Sequence, residues 1–292
     1  MYELVTLNDT DQYIRCPARI GLIRTGPGEA CLIDSGGDRD AGKRVKRILD
    51  EQGLTLRAIY NTHSHADHIG GNRYLSGQYA CPIYAPGIEQ AFTLHPVLEP
   101  GFLYGGFPPG ELRHKFLMAQ ESDALPLRPE ALPYGVSVID LPGHSFDMVG
   151  FRTEKGVVFL ADCLVSAQTL AKYRVSFLVD VAKYLETLEK VKKMAAAVFV
   201  PSHAEATENI APLAQLNIDM VYEVADAIIK LCAEPAAFDT ILRGAFDRFG
   251  LAMTVEQHAL VGSTVRSYLT WLTGAGRAEM LIMDNTLMWR AV

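Results

Sequence analysis

Cysteine is scarce in this sequence of 292 residues, and no two cysteines form a C-x-x-C pair. The five are an odd number spread along the chain: Cys16, Cys31, Cys81, Cys163 and Cys232. A disulfide framework or a cysteine-built metal site is therefore not expected. We expect the thiols to be reduced and to serve mostly as packing residues.

Positive charge is also in short supply. Lys and Arg number 27 against 34 Asp and Glu, which leaves a formal net charge of −7. A protein that holds a polyanion through broad electrostatics normally has the opposite balance. We therefore expect no nucleic-acid partner.

Long apolar runs are missing as well. No uncharged apolar stretch reaches the roughly 18 residues of a membrane span, and residues 1–11 carry no basic and then apolar leader. We expect a cytoplasmic protein that takes a small-molecule substrate and has no membrane partner. A homo-oligomer is left open.

The composition that remains is that of an ordinary folded protein, with 49% hydrophobic and 21% charged residues. The length corresponds to one large domain or to a core with an appendage. A hairpin signal at Gly26–Gly28 and an amphipathic helix over 40–52, flanked by strands, indicate an α/β fold. A further helix is predicted over 177–194. Three more buried-strand runs each end beside a polar residue, proline or glycine: 136–140, 157–160 and 197–200.

Two segments depart from this alternation. Residues 87–135 are rich in aromatic residues and proline without steady periodicity, and we interpret them as an insertion. Residues 212–292 predict three helices and a hairpin across Asp284-Asn285, an order that resembles a winged-helix unit. Six basic against nine acidic residues in this region argue against a DNA-binding surface. We predict a helical appendage that serves packing or oligomerisation.

The sharpest feature is His63-x-His65-x-Asp67-His68, which places three imidazoles and a carboxylate within six residues. Borderline divalent metals such as zinc prefer these donors. Positions two apart in an extended strand end point the same way, so His63 and His65 can converge on one ion while Asp67 and His68 turn toward another. The motif predicts a metal site, with a polar loop of hydrogen-bonded histidines as the alternative.

Three later residues stand at strand tips, namely His144, Asp162 and His203. Taken singly each is weak, since a lone His or Asp there more often makes a turn or core hydrogen bond. Cys163, beside Asp162, is expected to pack in the core because adjacent strand residues point to opposite faces. His114 is expected on a solvated face, with contact to an anionic substrate as the alternative.

Together and in this order, the chain resembles the metallo-β-lactamase superfamily, whose motifs run as a strand-end Asp, H-x-H-x-D-H, Gly-His, Asp and His. Asp34 stands first in that order, and the resemblance covers about residues 1–210. It implies a four-layer αββα sandwich. We therefore expect a catalytic domain over 1–211, with its insertion at about 87–135, and a helical, winged-helix-like region over 212–292 that ends in a hairpin.

The resemblance also implies a binuclear metal centre. The implied ligands are His63, His65 and His144 for the first metal, Asp67, His68 and His203 for the second, and Asp162 as the bridge. Asp34 matches the family's supporting aspartate, which orients the ligands without binding a metal. The expected cofactors are two divalent ions, with Zn²⁺ first and iron or manganese as alternatives.

The chemistry implied by such a centre is hydrolysis. Zinc lowers the pKa of bound water to about 7, and a hydroxide shared by two ions beside Asp67 and Asp162 would attack a carbonyl or phosphoryl centre. A thiolate leaves without help, whereas an amide nitrogen needs a proton donor, and the sequence offers no obvious one. We expect a dinuclear zinc hydrolase that cleaves a small thioester or an ester or lactone.

Within the superfamily the motif His-Ser-His-Ala-Asp-His, followed by Gly70-Gly71-Asn72, is nearest the glyoxalase II-like branch. The stretch Pro201–Ala204 departs from the Gly-His-Glu ending of that branch. A phosphodiesterase or nuclease of the same superfamily is the alternative, which the negative net charge disfavours. A di-iron reductase is disfavoured because that branch usually places Glu where His65 stands and adds a flavin domain, and a non-enzymatic relative would normally have lost ligands.

Overall fold

The computed structural model describes residues 2–292 and contains two large β-sheets. The first sheet has seven strands that follow chain order: β1 (Glu3–Thr6), β2 (Asp11–Arg15), β3 (Ile20–Gly26), β4 (Glu29–Ile33), β5 (Thr55–Tyr60), β6 (Ile83–Ala85) and β7 (Ala124–Pro126). The second sheet has four strands: β8 (Val136–Asp140), β9 (Val149–Thr153), β10 (Val157–Val165) and β11 (Val198–His203). Their spatial order is β11-β10-β9-β8.

The structure also contains helices and a small third sheet. The helices are α1 (Arg39–Glu51), α2 (Ala66–Ile69), α3 (Asn72–Tyr79), α4 (Glu89–Leu94), α5 (Leu98–Tyr104), α6 (Ala167–Tyr173), α7 (Val181–Lys192), α8 (Ala211–Leu231), α9 (Phe238–Phe249) and α10 (Val255–Gly274). The third sheet consists of β12 (Ala236–Ala237), β13 (Ala278–Met283) and β14 (Thr286–Ala291).

The strand directions bring the polar strand ends to common edges. In the first sheet β4, β5, β6 and β7 run parallel, with Ile33 paired to Tyr60, so the residues that follow β4 and β5 emerge side by side. In the second sheet β10 and β11 also run parallel, with Val165 paired to His203. Carboxyl ends of parallel strands are where α/β sheets place their functional groups.

Apolar residues of both sheets form the central layer of the core. Phe151 and Phe159 of the second sheet pack with Ile33 and Tyr60 of the first, and all four are buried. A Cβ atom at Gly21 would lie 2.9 Å from the ring of Phe159, so the close approach of the sheets requires glycine there. The two sheets thus pack face to face as a sandwich.

Amphipathic helices cover the two outer faces. Helix α1 begins after Asp38, whose carboxylate accepts a hydrogen bond from the Ala41 backbone N–H at 2.8 Å, and it packs Val45 and Leu49 onto the first sheet. Helices α7 and α8 cover the second sheet through residues such as Leu188. The αββα sandwich expected from the sequence is confirmed.

The C-terminal helices pack into the same apolar cluster that covers the second sheet. This cluster joins Val158 of β10 to Val224 of α8, Tyr268 of α10 and Trp289 of β14. Asp284 and Asn285 have φ values of 48° and 59°, the left-handed conformation that a two-residue hairpin turn requires. The helical appendage and its hairpin are confirmed, while the domain division at residue 211 stays a prediction.

Several parts of the secondary-structure prediction differ from the structure. Residues 87–135 contain α4, α5 and the edge strand β7, all too short to show a period in the sequence. The helix predicted over 177–194 begins only at Val181, because the Asp180 carboxylate caps it by accepting from the Lys183 backbone N–H at 3.0 Å.

The prediction also lacked β1, β2, β9 and α6. It expected 136–140 to be a buried strand, but β8 is mostly exposed, and it placed Asp162 beyond a strand end at 160, whereas β10 continues to Val165.

Among residues 2–292 no helix has both the length and the apolar character that crossing a bilayer requires.

Candidate metal centre

The loop after β5 carries the first two histidines to one point. His63 and His65 lie in the extended segment that leads into α2, and the distance from His63 Nε2 to His65 Nδ1 is 3.0 Å. His144 Nε2 lies 3.0 Å from the same His65 Nδ1. Donors around a tetrahedral zinc ion, about 2.0–2.1 Å from the metal, stand a little over 3 Å apart. The three nitrogens therefore have the spacing of ligands to one ion.

The approach of His144 to this group depends on the glycine before it. Gly143 has φ +123°, and a Cβ atom there would lie 2.3 Å from the backbone nitrogen of Tyr184 in α7. The Gly143 carbonyl accepts hydrogen bonds from the backbone N–H groups of Val179 and Asp180 at 2.9 and 3.0 Å. Only glycine lets the backbone pass this close to α7 in this conformation.

A second group forms from Asp67, His68, Asp162 and His203. His203 Nε2 lies 3.2 Å from Asp67 Oδ2 and 3.1 Å from Asp162 Oδ2, and His68 Nε2 lies 3.1 Å from Asp162 Oδ1. Asp67 is about half exposed at 49%, whereas the His68 side chain is fully buried. This group therefore reaches from the interior to the surface through Asp67.

Asp162 is a member of the second group that also approaches the first. Its Oδ2 atom is 3.1 Å from His203 Nε2 in the second group and 3.6 Å from His144 Nε2 in the first. The preceding Ala161 has φ 51° at an irregularity in the β10–β11 register. Positive φ is costly for alanine, and register irregularities of this kind redirect side chains. The strain aims Asp162 at the point where both groups meet.

Backbone carbonyls hold the outward ring nitrogens of two histidines, His144 and His203. The Phe177 and Pro17 carbonyls accept from the Nδ1–H groups of His144 and His203, each at 3.0 Å. Because a carbonyl only accepts, these bonds place the proton of each neutral imidazole on Nδ1, so that Nε2 is the atom each residue can offer to a metal.

Asp34 organises the remaining partners in the way expected of a supporting residue. Its carboxylate lies 2.8 Å from His68 Nδ1, and it accepts from the backbone N–H and the hydroxyl of Thr62 at 2.8 and 2.7 Å. The Thr62 hydroxyl uses its hydrogen for the bond to Asp34. Its oxygen therefore accepts a hydrogen bond from His63 Nδ1–H at 3.0 Å. Asp34 therefore orients His68 directly and His63 through Thr62, and it holds φ 65° to do so.

Burial keeps the histidines of the first group neutral. Loss of solvent, together with the neighbouring imidazoles, lowers the pKa of His63 well below its usual value. Loss of solvent is also the largest influence on His65 and His144, and it lowers the pKa of each to about 4. Neutral imidazole is the form that donates a lone pair to a metal.

Charge dominates the second group. Burial would lower the pKa of His68 and His203, but the carboxylates of Asp162 and Asp67 outweigh it, raising the pKa of His68 well above its usual value and that of His203 to about 10. Burial in turn would raise the pKa of Asp67, but His68 and His203 lower it to about 2. In the absence of metal the two carboxylates are therefore paired with two protonated imidazoles, which a divalent cation would have to deprotonate on binding.

Two buried polar atoms at this place have no hydrogen-bond partner among the described residues. They are His68 Nε2 and Asp162 Oδ1, which face each other without hydrogen-bond geometry. Buried polar atoms are rarely left unsatisfied, and an ion is one of the accepted explanations. With three neutral imidazoles on one side and two carboxylates on the other, the residues fit two divalent ions of the zinc type.

Two glutamates near the centre escaped the sequence analysis. Glu89 in α4 is fully buried, and its carboxylate accepts from the Ser64 backbone N–H and hydroxyl at 3.1 and 2.6 Å. It also accepts from the Ser145 hydroxyl at 2.6 Å and the Asp147 backbone N–H at 3.0 Å. Glu89 therefore ties the loop of His63 and His65 to the loop of His144.

Glu99 in α5 lies on the other side of His65, with its Oε1 atom 3.6 Å from His65 Nε2. Burial, with the Glu89 carboxylate nearby, raises the pKa of Glu99 to about 8. Both glutamates belong to the 87–135 segment, where the aromatic and proline-rich composition gave no signal that distinguished them.

The structure places the two remaining residues of interest away from the centre. Cys163 is fully buried in the apolar cluster of the second sheet, as expected for a packing residue. His114 is partly buried, not solvated as predicted, because its Nε2 atom lies 2.9 Å from Glu256 Oε1 on α10. The sequence could not show that α10 packs against this segment.

Comparison with known proteins agrees with this geometry. Residues 13–203 match the family model described as the metallo-beta-lactamase superfamily. A hydroxyacylglutathione hydrolase from Methylobacillus flagellatus is 34% identical over 141 residues, which cover 48% of this chain and 45% of that protein. A protein of the same name from Thiobacillus denitrificans is 32% identical over 120 residues, covering 41% and 38%. The chain thus spans less than half the length of these relatives.

Solved structures resemble the whole chain. A metallo-beta-lactamase family protein from Thermus thermophilus superposes with a TM-score of 0.73 at 16% identity and covers 100% of this chain and 98% of its own. A beta-lactamase domain protein from Burkholderia ambifaria gives a TM-score of 0.73 at 17% identity, covering 99% and 94%. At these identities the likeness concerns the fold, and it includes the C-terminal helices.

Proposed function

Because the chain belongs to the metallo-beta-lactamase superfamily, we propose that it is a dinuclear metal-dependent hydrolase that cleaves a small thioester, or a related ester or lactone. The observation that carries the proposal is the convergence of seven side chains on two adjacent groups of metal-ligand spacing. The matches to hydroxyacylglutathione hydrolases support a thioester as the substrate class.

In the proposal the three neutral imidazoles hold the first ion, and Asp67, His68 and His203 hold the second. Asp162 lies between the groups and serves both. Divalent ions held there would supply a water nucleophile that is active at neutral pH and a Lewis acid for the carbonyl oxygen. Zinc fits the donors best, and the same residues suit iron or manganese.

The side chains have separate tasks in this scheme. Asp67 is the ligand open to solvent, so its carboxylate is placed to orient an attacking water by accepting one of its protons. Asp162, positioned by the turn at Ala161, would hold both ions through its carboxylate. Asp34 and Glu89 keep the ligand loops in place before substrate binds, which lowers the cost of organising the site during the reaction.

A combined metal and activity measurement tests the proposal. Purified protein is analysed for metal content and is then offered thioester, lactone, β-lactam and bis-phosphodiester substrates. His63→Ala and Asp162→Ala should each abolish turnover while folding is retained. His258→Ala, an exposed histidine on α10, is the matched control and should keep wild-type turnover.

Two results would count against the proposal. Wild-type turnover in His63→Ala or Asp162→Ala would exclude the metal groups as the reaction centre. A preference for the bis-phosphodiester over every carbonyl substrate would favour the phosphodiesterase alternative instead.

A further inference from the structure

A cavity of about 190 Å³ opens at two of the proposed ligands, His144 and Asp162. It lies between the segment from α6 to α7 and the first half of α10. We propose that this cavity is an acyl pocket, which takes an uncharged aliphatic acyl group of about six carbons. The inference rests on the proposed function, since the acyl carbonyl would lie at the metal groups.

The walls of the cavity are largely apolar. Val165, Val175, Phe177, Leu260 and Val261 supply most of the exposed lining. The polar lining residues besides the two ligands are Thr169, Tyr173, Ser176, Tyr184, Gln257 and Thr264, and the Tyr184 hydroxyl donates to Asn217 Oδ1 at 3.4 Å. Apolar walls with few polar groups bind aliphatic chains through the hydrophobic effect.

Charge at the cavity restricts the substrate class. His144 and Asp162 are the ionisable side chains at its mouth, both already committed to the metal groups, and no Lys, Arg or Glu lines it in the described part of the chain. A carboxylate or ammonium on the acyl group would lose its hydration there without gaining a partner. We therefore infer that neutral acyl groups are preferred over charged ones.

The volume sets the length. At roughly 30 Å³ for each water-sized group, 190 Å³ holds about six such groups. Three larger cavities, of about 890, 720 and 660 Å³, are lined by no ligand of the first metal group; His203 lines the second of them and Asp67 the third, both from the second group. An acyl group whose carbonyl is held at the first metal group therefore reaches the smaller cavity.

Phe177 joins the pocket to the metal groups. Its backbone carbonyl accepts from His144 Nδ1–H, and its ring packs edge-on against His65 and His144 with centroid distances of 5.3 and 5.8 Å. The same ring lines the cavity. One residue thus forms both the support of a ligand and the entrance to the pocket, so a bound acyl chain lies directly beside the reacting carbonyl.

The C-terminal helix α10 forms one wall of the pocket through Gln257, Leu260, Val261 and Thr264. This gives the region after residue 211 a role in substrate selection that packing alone would not. Leu260 is a suitable site for a test because it lines the cavity and its side chain is only partly buried.

The experiment uses zinc-loaded protein and N-acetylcysteamine thioesters with acyl chains of two to ten carbons, together with the charged succinyl analogue. For the wild type kcat/KM should rise roughly fourfold for each added methylene up to about six carbons and then fall. The succinyl compound should be a poor substrate. Leu260→Trp should lower the hexanoyl to acetyl ratio at least tenfold, and Leu260→Ala should move the optimum to longer chains.

Leu216→Trp is the matched control, because Leu216 lies exposed on α8 and should keep the wild-type chain-length profile. Calorimetry of hexanoate binding to the zinc-loaded protein gives a readout that does not depend on turnover. The wild type should bind it and Leu260→Trp should not.

The outcomes separate the pocket from the proposed function. Thioester hydrolysis with a flat chain-length profile in the wild type and both Leu260 variants would overturn the acyl pocket and leave the function standing. Binding of hexanoate that Leu260→Trp abolishes, without hydrolysis of any thioester or ester, would support the pocket and overturn the function. Absence of both would overturn the two together.

Discussion

Replacement of Glu89 by Gln removes one of the two acceptor oxygens that tie the metal loops together. The wild-type carboxylate accepts two hydrogen bonds on each oxygen, at 3.1 and 2.6 Å on Oε2 and at 2.6 and 3.0 Å on Oε1. In Gln the new NH₂ group faces a serine hydroxyl, which can rotate to accept, and a backbone N–H, which cannot. One buried N–H is therefore left unpaired whichever way the amide turns.

The expected magnitude follows from that count. An unpaired buried donor costs about 1–3 kcal/mol, and the one lost hydrogen bond to a charged group is worth about 1.5–3 kcal/mol, so we expect roughly 2.5–6 kcal/mol in total. Loss of these hydrogen bonds should also hold His63, His65 and His144 less firmly in position. Loss of such supporting contacts lowers metal affinity about 10–100-fold, and here the loss should fall on one of the two ions.

The zinc affinities of both sites are measured by titrating metal-free protein with zinc in the presence of a competing chromophoric chelator. Glu89→Gln should show one weakened site and one site close to wild type, with urea unfolding of the metal-free protein reporting the stability change separately. Glu130→Gln, at an exposed position, is the matched control and should change neither quantity. Zinc affinities within twofold of wild type at both sites would refute the positioning role of Glu89.

Other predictions follow from the same contacts. Asp34→Ala removes the acceptor of His68 and should weaken zinc binding about 10–100-fold, measured by chelator competition; unchanged affinity would show that Asp34 does not orient the ligands. Gly143→Ala brings a Cβ atom to 2.3 Å from the Tyr184 nitrogen and should cost about 3 kcal/mol or more in urea unfolding. Gly274→Ala, which meets nothing within 4 Å, is its control and should not destabilise; similar unfolding midpoints for both would contradict the reasoning. Removal of metal by a chelator should lower the unfolding temperature, since zinc at about 100 times its Kd stabilises the fold by about 2.7 kcal/mol; an unchanged temperature would argue against tight binding.

The sequence predicted the candidate centre well because its signals are local or ordered along the chain. The H-x-H-x-D-H motif places four donors within six residues. The buried runs of β10, which contains Asp162, and of β11, which ends at His203, are easy to see, whereas β8 before His144 is mostly exposed. The structure brings all seven side chains into two groups, and their role as ligands remains a proposal. Asp34 contacts His68 directly and His63 through Thr62, and its supporting role likewise stays a prediction.

What the sequence could not show depends on contacts between distant segments. Glu89 contacts Ser64 and Ser145, which are 25 and 56 positions away in the sequence. The residues that flank Glu89 in the sequence do not distinguish it from a surface glutamate. The left-handed conformation of Ala161 is likewise invisible, because alanine carries no preference for it. The acyl pocket needs α10 to pack beside Phe177, which is a tertiary event between elements without a shared pattern.

The central claim is that this chain holds two divalent ions side by side. Anomalous diffraction at the zinc edge, on crystals of the protein saturated with zinc, tests it most directly. We expect two peaks, one about 2.0–2.1 Å from His63 Nε2, His65 Nδ1 and His144 Nε2 and the other at similar distances from His68 Nε2, His203 Nε2 and the Asp67 carboxylate. A well-ordered structure with no anomalous peak at either group under saturating zinc would contradict it.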